Sequence, residues 1–110
     1  MLKYDQLDRA YQALGDATRR ALVERLTHGP ATVSDLARPL PMSLPAVMLH
    51  LKVLEEAGLV TSQKLGRTRT CRVDPMILSQ AERWIAERRQ MWEQGLDRLG
   101  AYLGEEGEKK

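Results

Sequence analysis

The chain has 110 residues, 43% hydrophobic and 29% charged, with a net charge of +2. These are values of one globular domain whose modest core a second subunit can help to complete. The single cysteine, Cys71, excludes an intrachain disulfide framework and a Cys-rich zinc site, and no uncharged run approaches the roughly 18 residues of a membrane helix.

No internal repeat is visible, and the first residues, from Met1 to Gln6, form no apolar stretch of the signal-peptide kind. The expectation is a cytoplasmic protein with no membrane partner and no cofactor.

Leu7, Tyr11 and Leu14 fall on one helical face, and Gly15 closes that helix. Asp16 caps a second helix with Leu22, Val23 and Leu26 turned inward, and Gly29 and Pro30 stop it. Thr32 caps a short third helix with Leu36 and Leu40 as its core residues, ended by Pro39 and Pro41. Ser43 caps a fourth helix that carries Pro45 in its first turn and stops at Gly58.

Two β-prone runs around Gly66-Arg67, residues 59–65 and 68–73, read as a hairpin. Asp74 and Pro75 open a long last helix with Leu78, Ala81, Trp84, Ile85, Trp92, Leu96, Leu99 and Leu103 along it. Gly95 and Gly100 weaken its second half. The predicted fold is mainly α with a small β-hairpin, in the order ααααββα: a winged helix-turn-helix. It occupies residues 1–104 as a single domain, with residues 105–110 as a disordered tail.

On the fourth helix, residues 43–57, Leu44, Val47, Leu51 and Leu54 form the core stripe. The opposite side offers Ser43, Pro45, Ala46, Met48, Leu49 and Lys52 to a major groove, and His50 lies at the stripe's edge. There is no Arg for guanine and no Asn or Gln for adenine, which leaves thymine methyls, one hydroxyl, DNA shape and phosphates. The alternative is that protein covers Met48 and Leu49. His50 can serve a phosphate or a structural hydrogen bond near the turn.

Lys64, Arg67, Arg69 and Arg72 lie in or beside the hairpin, and no acidic residue occurs between Ala57 and Val73. Arg67 at the turn suits a phosphate or a narrow minor groove. The competing reading is a solvated hairpin. Cys71 is either a redox sensor, if Arg69 or Arg72 lowers its pKa, or a small half-buried strand residue.

The stretch Met42-Ser-Leu-Pro-Ala-Val-Met-Leu-His-Leu-Lys-Val-Leu-Glu-Glu-Ala-Gly-Leu-Val60 resembles the recognition-helix region of ArsR-type regulators. Leu14-Gly-Asp-Ala-Thr-Arg-Arg-Ala-Leu-Val23 resembles that family's second-helix signature, and the likeness spans about Leu7 to Val73. It implies a homodimeric repressor of double-stranded DNA, released by an inducer, with first and last helices at the interface.

The expected seam holds Leu7, Tyr11, Leu78, Trp84, Ile85, Trp92, Leu96 and Leu99. Twofold symmetry would match a pseudo-palindromic operator. Met48 and Leu49 stand where many members carry Ser and a basic residue. The third helix, Val33-Ser-Asp-Leu-Ala-Arg38, lacks the Cys ligands of metal sensors, and the last helix has no His. The expectation is a subgroup that senses no metal. A protein-docking module with Met48 and Leu49 as its patch is the alternative. No nucleophile–base pair or phosphate loop points to an enzyme.

Overall fold

A computed structural model describes the backbone of residues 2–108 and the side-chain surroundings of residues 5–104. Five helices and three short strands follow in order: α1 (Leu2–Leu14), α2 (Ala17–Thr27), β1 (Ala31–Thr32), α3 (Val33–Ala37), α4 (Leu44–Glu56), β2 (Val60–Leu65), β3 (Thr68–Val73) and α5 (Pro75–Glu108).

The helix starts follow from their caps. The side chains of Asp16, Thr32 and Ser43 accept from the backbone N–H groups of Arg19, Asp35 and Ala46, at 3.1, 3.1 and 3.3 Å. Each satisfies a donor that its helix cannot. Asp74 Oδ1 does the same for Met76 N at 3.0 Å, before Pro75 has begun α5. At the far end of α4, Gly58 takes a φ of +79° and its N–H reaches Glu55 O at 3.0 Å. A side chain there would also meet Ile77 Cγ1 at 2.9 Å.

β2 and β3 form the hairpin, in register from Val60↔Val73 to Leu65↔Thr68. Gly66 has a φ of +62° and Arg67 does not enter the left-handed region, the II′ pattern that suits the twist of a two-residue hairpin. The composition of the chain did not reveal β1. Its two residues pair with the outer side of β3, Ala31↔Cys71 and Thr32↔Thr70, giving a sheet in the order β1-β3-β2. A strand this short has no alternation to read.

The core lies among α1, α2, α4 and the sheet, with Ala10, Leu22, Leu26, Leu36, Val47, Leu51, Leu54, Leu59, Val60 and Cys71 buried. Among the described residues no polar or charged side chain is buried. Leu44 departs from the expected stripe. It is 47% exposed, because the first turn of α4 projects past the edge of the core that Val47 and Leu51 reach.

α5 is continuous over 34 residues, about 51 Å at a rise of ~1.5 Å per residue. Its helix runs to Glu108, past residue 104 where the ordered chain was expected to stop; Lys109 and Lys110 lie outside the described residues. Its first turns pack on the domain through Ile77, Leu78 and Ala81.

Candidate nucleic-acid interface

Three features of the chain meet on one face. α4 supplies its outward side, α3 lies beside its N-terminus, and the hairpin stands next to both. Pro45, Met48, Leu49 and Lys52 are all exposed, Leu49 at 65%. Ser43 Oγ is occupied as the cap of α4, but its hydroxyl proton remains free to donate. Ala46 is half-buried beside them.

The wing brings Lys64, Arg67 and Arg69 to the same face. Together with Ser34, Leu44 and Met48 they line a hollow of about 470 Å³ between the start of α4 and the hairpin. Lys64 stands directly across from Arg69 in the ladder. Opposed like charges weaken a strand pair, so this arrangement gains most when an anion sits against it. Arg69 Nη1 is steadied by Ser62 Oγ at 2.8 Å. Arg72, exposed, pairs across the ladder with Thr61 and lies outside this hollow.

A second, more apolar groove of about 690 Å³ adjoins it along α4 towards Leu49, Lys52 and Glu55. Val33, Met48 and Arg69 belong to both.

Of the two roles expected for His50, the structural contact near the turn is the one observed. Its Nδ1 lies 3.3 Å from Arg19 Nη1 and 4.0 Å from Asp16 Oδ2. The half-buried ring thus ties α4 to the start of α2, which leaves only Nε2 for a phosphate.

Arg19 is the partner that the sequence pattern did not disclose. Its Nε and Nη2 donate to the carbonyls of Ala13 and Gln12, at 2.6 and 3.1 Å, closing the C-terminus of α1. Arg20 adds Leu14 O at 2.8 Å. Two cations of the chain are therefore engaged in helix ends rather than in the basic face. Their signal was the position of Asp-Ala-Thr-Arg-Arg just after Gly15, where the last carbonyls of α1 have no partner within the helix. The N–H of Arg19 holds the Asp16 carboxyl below its ordinary value, aided by the charges of Arg19 and His50.

These features have counterparts in known proteins. Residues 14–63 match the model of a helix-turn-helix domain. HTH-type transcriptional regulator Rv2034 of Mycobacterium tuberculosis is 56% identical over 75 residues, which cover 68% of this chain and 70% of that one. The crystal structure of an ArsR family transcriptional regulator, RHA00566, is 46% identical and superposes with a TM-score of 0.77, covering 81% of this chain and 92% of that one.

The chain belongs to the ArsR family of transcriptional regulators.

Its winged helix-turn-helix fold is shared with a solution structure from Mycobacterium bovis described as a homodimeric DNA-binding domain. That protein is 23% identical, with a TM-score of 0.62 over 86% of this chain and 85% of that one.

Within the ArsR-family fold, other expected residues fall into two groups. Leu7 is buried and Leu78 packs against the core inside one chain, so neither offers much to a partner. Helical spacing reports an apolar face but not whose core covers it. Tyr11 is shared: its hydroxyl donates to Ala81 O at 3.0 Å, and its ring meets Trp84 edge-on with centroids 6.0 Å apart. Arg88 stacks over that indole, 4.6 Å from the ring centroid. Ile85, Trp92, Leu96 and Leu99 remain exposed, Trp92 at 68%.

Cys71 does not have the setting of a redox thiol. It is fully buried in β3, and burial together with the Glu55 charge pushes its pKa up more than Arg69 lowers it. Among the described residues no three His, Cys, Asp or Glu side chains gather as a metal site, and no helix is long and apolar enough to cross a membrane.

Proposed function

We propose that the protein is a homodimeric repressor that lays α4 in the major groove of a pseudo-palindromic operator and closes its wing on the adjacent phosphates. The observation that carries this reading is the joint face of α4 and the hairpin. There Met48, Leu49 and Lys52 stand beside the opposed pair Lys64 and Arg69, with Arg67 at the hairpin tip.

Base contact falls to Ser43, Pro45, Ala46, Met48 and Leu49. Apolar side chains favour thymine methyls, so much of the selectivity rests on shape and spacing. Lys52, Lys64, Arg67 and Arg69 supply phosphate contacts, which carry affinity without sequence information. His50 contributes by fixing α4 against α2.

The dimer is supported by what α5 leaves uncovered. Tyr11, Trp84 and Ile85 begin an apolar strip that Trp92, Leu96 and Leu99 continue. The intervals of seven between Ile85, Trp92 and Leu99 keep it on one helix face. An isologous seam of α1 and α5 covers this strip and places two α4 helices about one DNA turn apart.

The test is selection of bound DNA from a random pool at two salt concentrations. The expected result is a palindrome with affinity that falls steeply with salt. No enrichment, with weak binding indifferent to salt, would transfer Met48 and Leu49 to a protein-docking role.

A further inference from the structure

The depth of the groove of about 690 Å³ between α4 and β3 is not explained by DNA contact at its rim. Its outer rim, Pro45, Met48, Leu49, Lys52 and Arg69, belongs to the proposed reading face, but the hollow continues inward beneath those side chains. Its floor is the edge of the core itself, Val33, Leu51 and Cys71. Its volume falls within the roughly 300–1,000 Å³ of small-molecule sites, and it combines an apolar lining with few polar groups, as such sites do.

The polar groups define the ligand. Lys52 and Arg69 stand on the rim with one carboxylate, Glu55. Among the described residues neither cation is in an ion pair. The rim therefore carries one uncompensated positive charge. Glu55 opposes a second negative charge on a ligand, which separates a monoanion from a polyphosphate. Its charge reaches the groove floor, where it helps to raise the Cys71 thiol.

We propose that this groove binds an amphiphilic monocarboxylate, with its apolar body between Met48 and Cys71 and its carboxylate on Arg69 and Lys52, and that its occupancy excludes DNA. The second clause rests on the DNA-binding reading. Met48, Leu49, Lys52 and Arg69 line the groove and also belong to the proposed reading face, so the two ligands compete for the same side chains. Release from DNA then needs no conformational relay.

The experiment uses the full chain with dodecanoate below its micellar concentration. Dodecyltrimethylammonium serves as the probe of equal tail and opposite charge. Without DNA, dodecanoate is expected to saturate at one molecule per subunit and to shift the amide signals of Met48, Leu49 and Cys71. Arg69→Gln should weaken it about tenfold, the loss of one charge-assisted hydrogen bond. Met48→Trp, which fills the groove from an exposed position, should abolish it.

Equal binding of the ammonium probe, shifts confined to α1 and α5, or indifference to both substitutions would overturn the site. With DNA selected from the random pool, dodecanoate should displace it over the concentration range in which it binds the free protein. A ternary complex with unchanged DNA affinity would overturn the exclusion. Failure to bind any DNA would overturn the DNA reading instead, because the first arm is measured without it.

Discussion

The Tyr11 hydroxyl donates to the Ala81 carbonyl at 3.0 Å, joining the first helix to the last across nearly the whole fold. This bond adds a second donor to a carbonyl already within α5, and it holds the Tyr11 ring edge-on to Trp84. Tyr11→Phe keeps the ring and removes only the hydroxyl. The expected cost is about 1 kcal/mol, read as a lower midpoint in urea with an unchanged slope. An unchanged midpoint would mean that the bond adds nothing over solvation.

Gly58 makes a sharper demand. Its φ of +79° disfavours any side chain, and a Cβ would lie 2.9 Å from Ile77 Cγ1. Gly58→Ala is expected to cost at least ~1–2 kcal/mol from the backbone alone. Adding Ile77→Ala to it should recover the steric part and leave the backbone part, which a double-mutant cycle would separate.

Asp16 couples stability to pH. Its carboxyl is held below the ordinary value by the Arg19 N–H, so the folded form binds its proton less readily than the unfolded chain. The stabilisation is present above the unfolded pKa of about 3.9 and is lost as pH falls through the lower folded value. Asp16→Asn keeps a competent cap but does not titrate. The wild type should melt higher than the variant at pH 7, and the difference should vanish towards pH 3. A gap equal at both pH values would place the effect elsewhere.

The proposed reading face predicts two kinds of contact. Leu49→Ala should lower affinity for the selected operator while leaving the melting temperature unchanged, since Leu49 is 65% exposed. Arg67→Ala should instead weaken binding to all sequences and reduce the salt slope by about 1. A lost fold or dimer in the first variant would show that protein covers Leu49.

The distal half of α5 can be tested apart from the domain. Residues 96–104 are exposed throughout, and Trp92 and Leu96 are 68% and 46% exposed. Trp92→Glu with Leu96→Glu should leave the winged domain folded by circular dichroism but monomeric by sedimentation. Operator affinity should fall with the loss of the second half-site. A dimer that persists would confine the seam to Tyr11, Trp84 and Ile85.

The helix starts were legible because their caps are local chemistry: Asp16, Thr32, Ser43 and Asp74 each accept from the backbone N–H two or three residues on. The hairpin was legible from Gly66 between two β-prone runs. What remained hidden depends on distant parts of the chain. Leu44 shares the period of Val47 and Leu51, and only the limit of the core leaves it outside. Arg19 serves carbonyls of another helix and a histidine 31 residues away. Leu7 and Trp92 carry the same amphipathic signal, yet one is buried within its chain and the other is not. For the site, the basic wing was visible as a stretch without acids. The hollow beside α4 exists only once β3 stands next to that helix.

Thr32 closes β1 by pairing with Thr70 and also caps α3 through Asp35 N. One residue thus fastens the base of the sheet to the helix pair that carries α4. β1 ends its pairing at Thr70, so the hairpin beyond it, from Lys64 to Arg69, is a ribbon of only two strands. A bare two-stranded ribbon is weakly self-supporting. On the proposed reading, the protein would meet DNA with a stiff palm and a compliant fingertip: α4 would fix the register, while Lys64 and Arg67 would follow a phosphate backbone whose path varies from one operator to the next.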